Sequence, residues 1–154
     1  VGCFSRSALV RAVHARKIYA VDPGLAGAVS MATTRDWGAR LETAVYLELR
    51  RRAGRAREGT LAYYVTERGH EVDFVEGDAE QGEAATLVQV CADLQAPGTR
   101  ERELRALDEA MKELGLDSAT LVTLEDTDEV ALSAGTVRVL PAWRWALNRD
   151  SLPQ

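Results

Sequence analysis

Glu71-Val72-Asp73-Phe74-Val75-Glu76, a polar gap containing Gly77 and Gly82, and then Thr86-Leu87-Val88-Gln89-Val90-Cys91 form the stretch whose reading decides the fold. Apolar and polar residues alternate in both segments, and β-branched and aromatic side chains are frequent, which is the pattern of strands. Period-two alternation puts Glu71, Asp73 and Val75 on one face of the first strand, with Val72 and Phe74 on the other. In the second strand Leu87, Gln89 and Cys91 share a face, opposite Val88 and Val90. The expectation is that the strands are neighbours and that Asp73 and Gln89 lie on the same face.

Working outward, Leu61-Ala62-Tyr63-Tyr64-Val65 is a preceding strand, and Glu67-Arg68-Gly69-His70 turns it into the Asp73 strand, with His70 an exposed turn residue. The acidic segment from Glu76 to Glu83 is read as a loop. Upstream, a helix is expected from about Trp37 to Arg52. Leu41, Val45 and Leu49 recur at helical spacing with Tyr46 beside them, and Glu42 sits at the edge of that stripe. The helix runs out in Arg50, Arg51, Arg52, Gly54, Arg55 and Arg57. Cations there complement the C-terminal dipole, and Gly54 suits a C-cap. Five arginines exceed what capping needs, so a phosphate-contacting patch is the second reading. Lys17 to Asp22 reads as a short strand or extended piece ended by Pro23-Gly24, and Leu25 to Met31 as weakly helical.

Downstream, Thr99 is the expected N-cap of a helix to Leu114, with Leu104, Leu107, Met111 and Leu114 as its stripe and Gly115 as its stop. Ala119 to Leu124 is a continuous apolar run, as in a strand buried on both faces. Strand, helix and strand then make a crossover, expected to be right-handed. Glu125 to Glu129 reads as a loop, and Thr136 to Leu140 as a last strand at the sheet edge. Pro141 opens a final helix in which Trp143 and Trp145 pack. The order is α-β-β-β-α-β followed by an edge strand and a helix. That is an α/β fold around a mixed central sheet.

The 154 residues suffice for one domain with its own core. A net charge of −5 and a pI near 5.1 argue against a uniformly basic nucleic-acid coat, though not against a local basic patch. Two distant cysteines, Cys3 and Cys91, do not suggest a disulfide scaffold, and a reducing cytoplasm is the expected location. No apolar run reaches the ~18 residues of a membrane helix. The Val1 start, without an initiator Met or an apolar leader, is expected of a piece of a longer chain.

Several segments then fall together in order. They are Lys17-Ile18-Tyr19-Ala20-Val21-Asp22-Pro23-Gly24-Leu25, Leu41-Glu42 with Val45 and Glu48 to Arg52, Glu71 to Phe74, Val88 to Cys91, and Pro141 to Trp145. This set resembles the C-terminal domain of a large family of archaeal and bacterial ATP-binding proteins of the AAA+ type. In that family the domain follows an ATPase domain and a winged-helix segment, and is itself similar to restriction-endonuclease-like nucleases. The resemblance implies a linker or winged-helix tail over residues 1–16, a nuclease-like domain over 17–148 and a tail over 149–154. It also implies an ATPase partner, as an upstream domain or a separate subunit. The sequence contains no Gly-x-x-x-x-Gly-Lys-(Ser/Thr) phosphate loop, so no ATP site is expected in this chain.

Such nucleases carry an Asp on one strand and (Asp/Glu)-x-Lys on the next. By resemblance, Glu42 matches the helix carboxylate and Asp73 the central metal-binding aspartate. Gln89 stands in place of the second acid and Cys91 in place of the lysine. The chemistry needs hard oxygen ligands for Mg²⁺ and a cation beside the developing charge. A glutamine ligates without charge, and a cysteine supplies neither need. Losing one such electrostatic partner typically costs about 10²–10³ in rate. The expected site (Glu42, Asp73, Gln89) is a weak Mg²⁺ site in a degraded nuclease, unless Arg40 or Arg68 replaces the lysine from elsewhere. Three roles stay open. One is a silent nuclease-fold module that binds DNA or a protein partner, through Arg50, Arg51, Arg52, Arg55 and Arg57 in the DNA case. The others are an active Mg²⁺-dependent DNA endonuclease and a dimerisation or docking domain, the last compatible with a homo-oligomer.

Overall fold

Apolar stripes at helical spacing and alternating strands find their partners across a central sheet. The computed structural model describes residues 1–5, 7–22, 24, 37–53 and 61–147. The features expected at Pro23, 25–31, Gly54, Arg55, Arg57 and 149–154 lie outside those residues. In chain order the elements are β1 (Gly2–Cys3), α1 (Ala8–Val13), α2 (Trp37–Ala53), β2 (Leu61–Val65), β3 (Glu71–Asp78) and β4 (Glu83–Val90). They continue with α3 (Thr99–Leu114), β5 (Ser118–Thr123), β6 (Asp128–Ala131), β7 (Thr136–Pro141) and α4 (Ala142–Leu147). The strands form one seven-stranded mixed sheet in the order β1-β2-β3-β4-β5-β7-β6. The β2-β3-β4 meander is antiparallel, and β4-α3-β5 is a parallel crossover.

Helices cover both faces. On one, Ala106, Leu107, Ala110 and Met111 of α3 pack on Val72, Val75, Leu87, Leu121 and Val139. On the other, Leu41, Val45 and Leu49 of α2 and Trp145 of α4 pack on Phe74, Val88 and Val122. Leu49, Phe74, Leu87, Leu107, Met111 and Leu121 are fully buried. Each such side chain contributes about 1.5–3 kcal/mol relative to exposure.

Several expectations are corrected. Gly2–Cys3, read as part of a linker, pairs in parallel with β2, so the sheet begins before residue 17. Of the two readings of Lys17 to Asp22, a short strand or an extended piece, only the strand is excluded, since the segment joins no strand of the sheet. The acidic residues Asp128 and Glu129, read as loop, form an edge strand beside β7, so β7 is interior. Charged side chains suit an edge that must not recruit further strands. Pro141 closes β7 instead of opening the helix, and Gly98, in the left-handed region with φ of 75°, caps α3 instead of Thr99. Trp145 is buried, whereas Trp143 is 65% exposed. His70 is half-buried, its Nδ1 2.7 Å from Glu109 Oε2. The hairpin strands run on through the acidic gap to Asp78 and from Glu83. Gly77 allows this close pairing, since a Cβ there would lie 2.1 Å from the Glu83 carbonyl oxygen.

The correction that matters most lies in β3. Ala62 pairs with Val75 and Tyr64 with Val72, so two residues of β3, Asp73 and Phe74, stand opposite Tyr63 alone. This bulge breaks the alternation. Val72 and Val75 both face α3, while Phe74 faces α2. A bulge re-aims the side chains beside it, and here it turns Asp73 away from the face of Gln89.

Candidate functional site

Asp73 is buried, and its carboxylate meets Lys17 on one oxygen and the backbone of β4 on the other. Lys17 Nζ stands 2.8 Å from Asp73 Oδ1, 3.1 Å from Glu42 Oε1 and 2.7 Å from Glu71 Oε1. Asp73 Oδ2 accepts the Val90 N–H at 3.0 Å. Tyr19 donates its hydroxyl to Glu42 Oε1 at 2.7 Å. Glu42 reaches this point because it flanks the buried stripe of α2, one residue after Leu41. Three carboxylates thus share one ammonium group, with a phenol locking the helix member in place.

The segment bearing Lys17 is held by its own contacts. Val1 and Lys17 exchange backbone hydrogen bonds of 2.8 and 3.0 Å. Tyr63 donates its hydroxyl to the Ala15 carbonyl at 2.7 Å, and Lys17 Nζ lies 5.7 Å from the Tyr63 ring centroid. Tyr19 stacks on Tyr46 with centroids 4.3 Å apart, and both rings border Phe74.

Electrostatics follow from this sharing. Burial pushes the Asp73 carboxyl up to about 6, with Glu42 adding repulsion and Lys17 and the Val90 N–H pulling the other way. Burial alone would lower the Lys17 amine, but Asp73, Glu71 and Glu42 together hold it above the ordinary lysine range. The two shifts are compatible, because the lysine feels three carboxylates while each carboxylate has only a share of one cation. Burial and the Glu42 carboxylate also raise the Tyr19 phenol, which therefore stays a donor.

Gln89 and Cys91 do not join this cluster. Gln89 Oε1 accepts the backbone N–H of Asp73 at 2.9 Å, and its Nε2 donates to Glu103 Oε2 on α3 at 2.6 Å. Arg102 in turn donates to Glu103 Oε1 at 2.7 Å. The Cys91 thiol, raised by burial, donates to the Asp93 carbonyl at 3.4 Å. Cys3 and Cys91 are both free thiols. The expected convergence of Glu42, Asp73, Gln89 and Cys91 is therefore corrected. Glu42 and Asp73 meet on the α2 side, Gln89 belongs to the α3 side, and Cys91 bonds locally. Neither expected substitute cation takes part in these contacts: Arg40 lies 5.9 Å from the Trp37 ring centroid and Arg68 pairs with Glu109 at 3.5 Å. The cation is Lys17. Its sequence signal was its place five residues before Asp22 in the Lys17–Leu25 run, but nothing local linked it to Asp73.

The residues as placed do not fit a Mg²⁺ ion. Such an ion needs a near-octahedral oxygen shell. Here the carboxylate oxygens surround an ammonium, and both polar ends of the Gln89 amide are engaged elsewhere. Among the described residues, no three His, Cys, Asp or Glu side chains are grouped so as to hold a metal ion.

The arginines divide into distinct environments. Arg52 is nearly buried: it donates to Glu48 Oε1 at 2.8 Å and to the Trp145 carbonyl at 2.7 Å, with its guanidinium 4.3 Å from the Trp145 ring centroid. Arg51 pairs with Glu48 at 2.6 Å on the surface. Arg50 lines a groove with Arg11, Arg16, Tyr46 and Ala62. Among the described residues, no helix is long and apolar enough to cross a membrane.

An uncharacterised protein of Methanocaldococcus jannaschii is 33% identical over 138 residues, covering 86% of this chain and 29% of the relative. The chain thus spans less than a third of that relative's length. No solved structure matches the chain. Residues 37–145, from the first turn of α2 to Trp145, match the family described as Domain of unknown function (DUF4143), and the chain belongs to that family.

Proposed function

We propose that the domain is a catalytically silent module of restriction-endonuclease-like build that binds nucleic acid on behalf of an ATPase, present as another domain or another subunit. One observation carries the silent reading: Gln89 and Cys91 stand apart from the Asp73 carboxylate, whose oxygens face Lys17 and the Val90 N–H. Glu42 and Asp73, sharing an ammonium with Glu71, offer no open ligand position for metal-assisted hydrolysis. The order α2-β2-β3-β4-α3-β5 supports the nuclease-like ancestry. The groove of Arg11, Arg16 and Arg50 supports a polyanion as ligand, since it gathers cations on an otherwise acidic chain.

The test pairs cleavage with binding. Supercoiled and single-stranded DNA are incubated with the protein and Mg²⁺ or Mn²⁺, and duplex binding is followed by fluorescence anisotropy across a salt series. No cleavage, with an affinity that falls by a log–log slope of about −0.9 per neutralised phosphate, is the expected result. Metal-dependent cleavage abolished by Asp73→Asn would establish the active-endonuclease reading instead.

A docking role rests on a different observation. Helix α1 buries none of its residues, and Leu9 and Val13, one turn apart, are 73% and 74% exposed. Absent DNA binding at low salt would leave that reading.

A further inference from the structure

We infer that Lys17 is the resident cation of the acidic site: its ammonium group takes the structural place of a divalent ion among Glu42, Glu71 and Asp73. This concerns what neutralises the cluster and holds whether or not the domain binds nucleic acid. An ammonium has three donors, and the three carboxylates present one acceptor oxygen each at 2.7–3.1 Å. The ammonium donates to Glu42 and Asp73 and pairs with Glu71, so its charge is met within the cluster. The Lys17–Asp73 pair is the shielded part of the cluster, with side chains 20% and 12% exposed, whereas those of Glu42 and Glu71 are 26% and 49% exposed. Carboxylates at this range repel strongly without a cation, so unless one is supplied with the fold or recruited from solution they must take up protons.

The anchoring of the segment shows that it is supplied with the fold. Lys17 is fixed on its backbone by Val1, Ala15 by the Tyr63 hydroxyl, and Tyr19 by both Glu42 and the stack on Tyr46. A lysine merely lying over an acidic patch would not need its neighbours tied on both sides. A divalent ion entering this cluster would have to displace the ammonium and meet its charge. The prediction is therefore reciprocal: the natural protein ignores divalent metal, and loss of the ammonium creates a demand for it.

Thermal unfolding of the full chain tests this, with the natural protein, Lys17→Ala and Lys17→Arg each in chelator and in millimolar Mn²⁺ or Mg²⁺. The natural protein and Lys17→Arg should unfold at the same temperature in both conditions. Lys17→Ala should lose about 10 °C in chelator and recover part of it with Mn²⁺. Asp73→Asn added to Lys17→Ala should abolish the recovery. A Lys17→Ala protein that is soluble only when expressed and purified with Mn²⁺ supports the inference equally. Lys17→Ala that is insoluble with and without Mn²⁺, or folded but indifferent to it, overturns the inference. So does the natural protein if it binds Mn²⁺ with sub-millimolar affinity, by electron-spin resonance titration, in a manner that Asp73→Asn removes.

Discussion

The two faces of the sheet handle a buried acid in opposite ways. On the α2 side, three carboxylates crowd around Lys17 and one of them, Asp73, is pushed towards neutrality. On the α3 side, a single carboxylate, Glu103, is shared between the neutral amide of Gln89 and the guanidinium of Arg102. One extra residue in β3 separates the two arrangements, because it sends Asp73 to the α2 side while Gln89 stays with α3. A side-chain period of two makes sheets sensitive to such a change: one inserted position exchanges the faces of everything beyond it. The α2 side is a carboxylate cluster neutralised by an amine, and the α3 side is a hydrogen-bonded polar contact within an apolar layer.

Removing the shared cation should produce the largest effect. Lys17→Met leaves the buried Asp73 carboxylate and its neighbours without a partner. Breaking such a buried pair typically costs 3–5 kcal/mol. Chemical denaturation should show that loss, and Asp73→Asn in the same chain should restore part of it. Equal losses from Lys17→Met with and without Asp73→Asn would mean that the lysine stabilises through its stem alone.

The dependence on pH comes next and has a definite sign. The Asp73 carboxyl titrates at about 6 in the folded chain, above its ordinary 3.8. Between those values the folded state holds a proton that the unfolded state has released, so this group makes stability fall as pH rises from about 4 to about 6, with no further change above. The shift corresponds to about 3 kcal/mol across the window. Lys17 keeps its charge throughout, and Glu42, Glu71, Tyr19 and Tyr63 are the other titratable groups facing the site. Because Glu48 and Asp108 are shifted downward and contribute with the opposite sign, the measurement is the difference between the natural protein and Asp73→Asn. That difference should shrink in favour of the variant as pH rises from 4 to 6. A constant difference would show that Asp73 is ionised across the whole range.

Much of this was readable in the residues, and the remainder failed for identifiable reasons. The stripe Leu41, Val45, Leu49 and the stripe Leu107, Met111 announced the two covering helices, because a helix face repeats often enough to be seen. Strand β1 has two residues, too few for any period. Strand β6 is acidic because it is an edge, so its composition imitates a loop. The bulge is invisible because Asp73 and Phe74 alternate normally along the chain, and only the pairing with Tyr63 shows the extra residue. Glu42 and Asp73 could be singled out as carboxylates. Lys17 could not be joined to them, as it is 25 residues from Glu42 and 56 from Asp73.

The α3 side gives a smaller prediction that also sets the two faces against each other. On the assumption that Asp73 and Gln89 converge, Gln89→Glu completes a metal site. With Gln89 facing Glu103, the same change instead puts a second carboxylate 2.6 Å from the first. Like charges in a buried contact repel, and the hydrogen bond loses its donor. The expected loss is about 2–3 kcal/mol, unaffected by Mn²⁺ and largely reversed by adding Glu103→Gln, which restores an amide–carboxylate pair with the roles exchanged. Stabilisation of Gln89→Glu by Mn²⁺ would place Asp73 and residue 89 on one face after all.

The smallest expected effect concerns two adjacent arginines on the α2 side, where a charge can be either structural or available. Arg52 bonds the Trp145 carbonyl and Glu48 and lies against the Trp145 ring, so it ties the end of α2 to α4. Charge-assisted hydrogen bonds to buried carbonyls and cation–π stacking persist only while both elements stay in place. Arg52→Ala should therefore lower stability by about 1–2 kcal/mol. Arg51, 66% exposed on its side chain and paired to the same Glu48, should be replaceable by alanine without a measurable change in the unfolding midpoint. For binding the order should reverse. An arginine whose guanidinium is committed to α4 has little left for a phosphate, so Arg51→Ala, at the exposed position, should weaken DNA affinity and flatten its salt dependence more than Arg52→Ala does, once both are measured on folded protein. If Arg52→Ala instead removes DNA affinity at unchanged stability, the contact with Trp145 is not what holds α4, and the basic end of α2 serves the ligand as a whole.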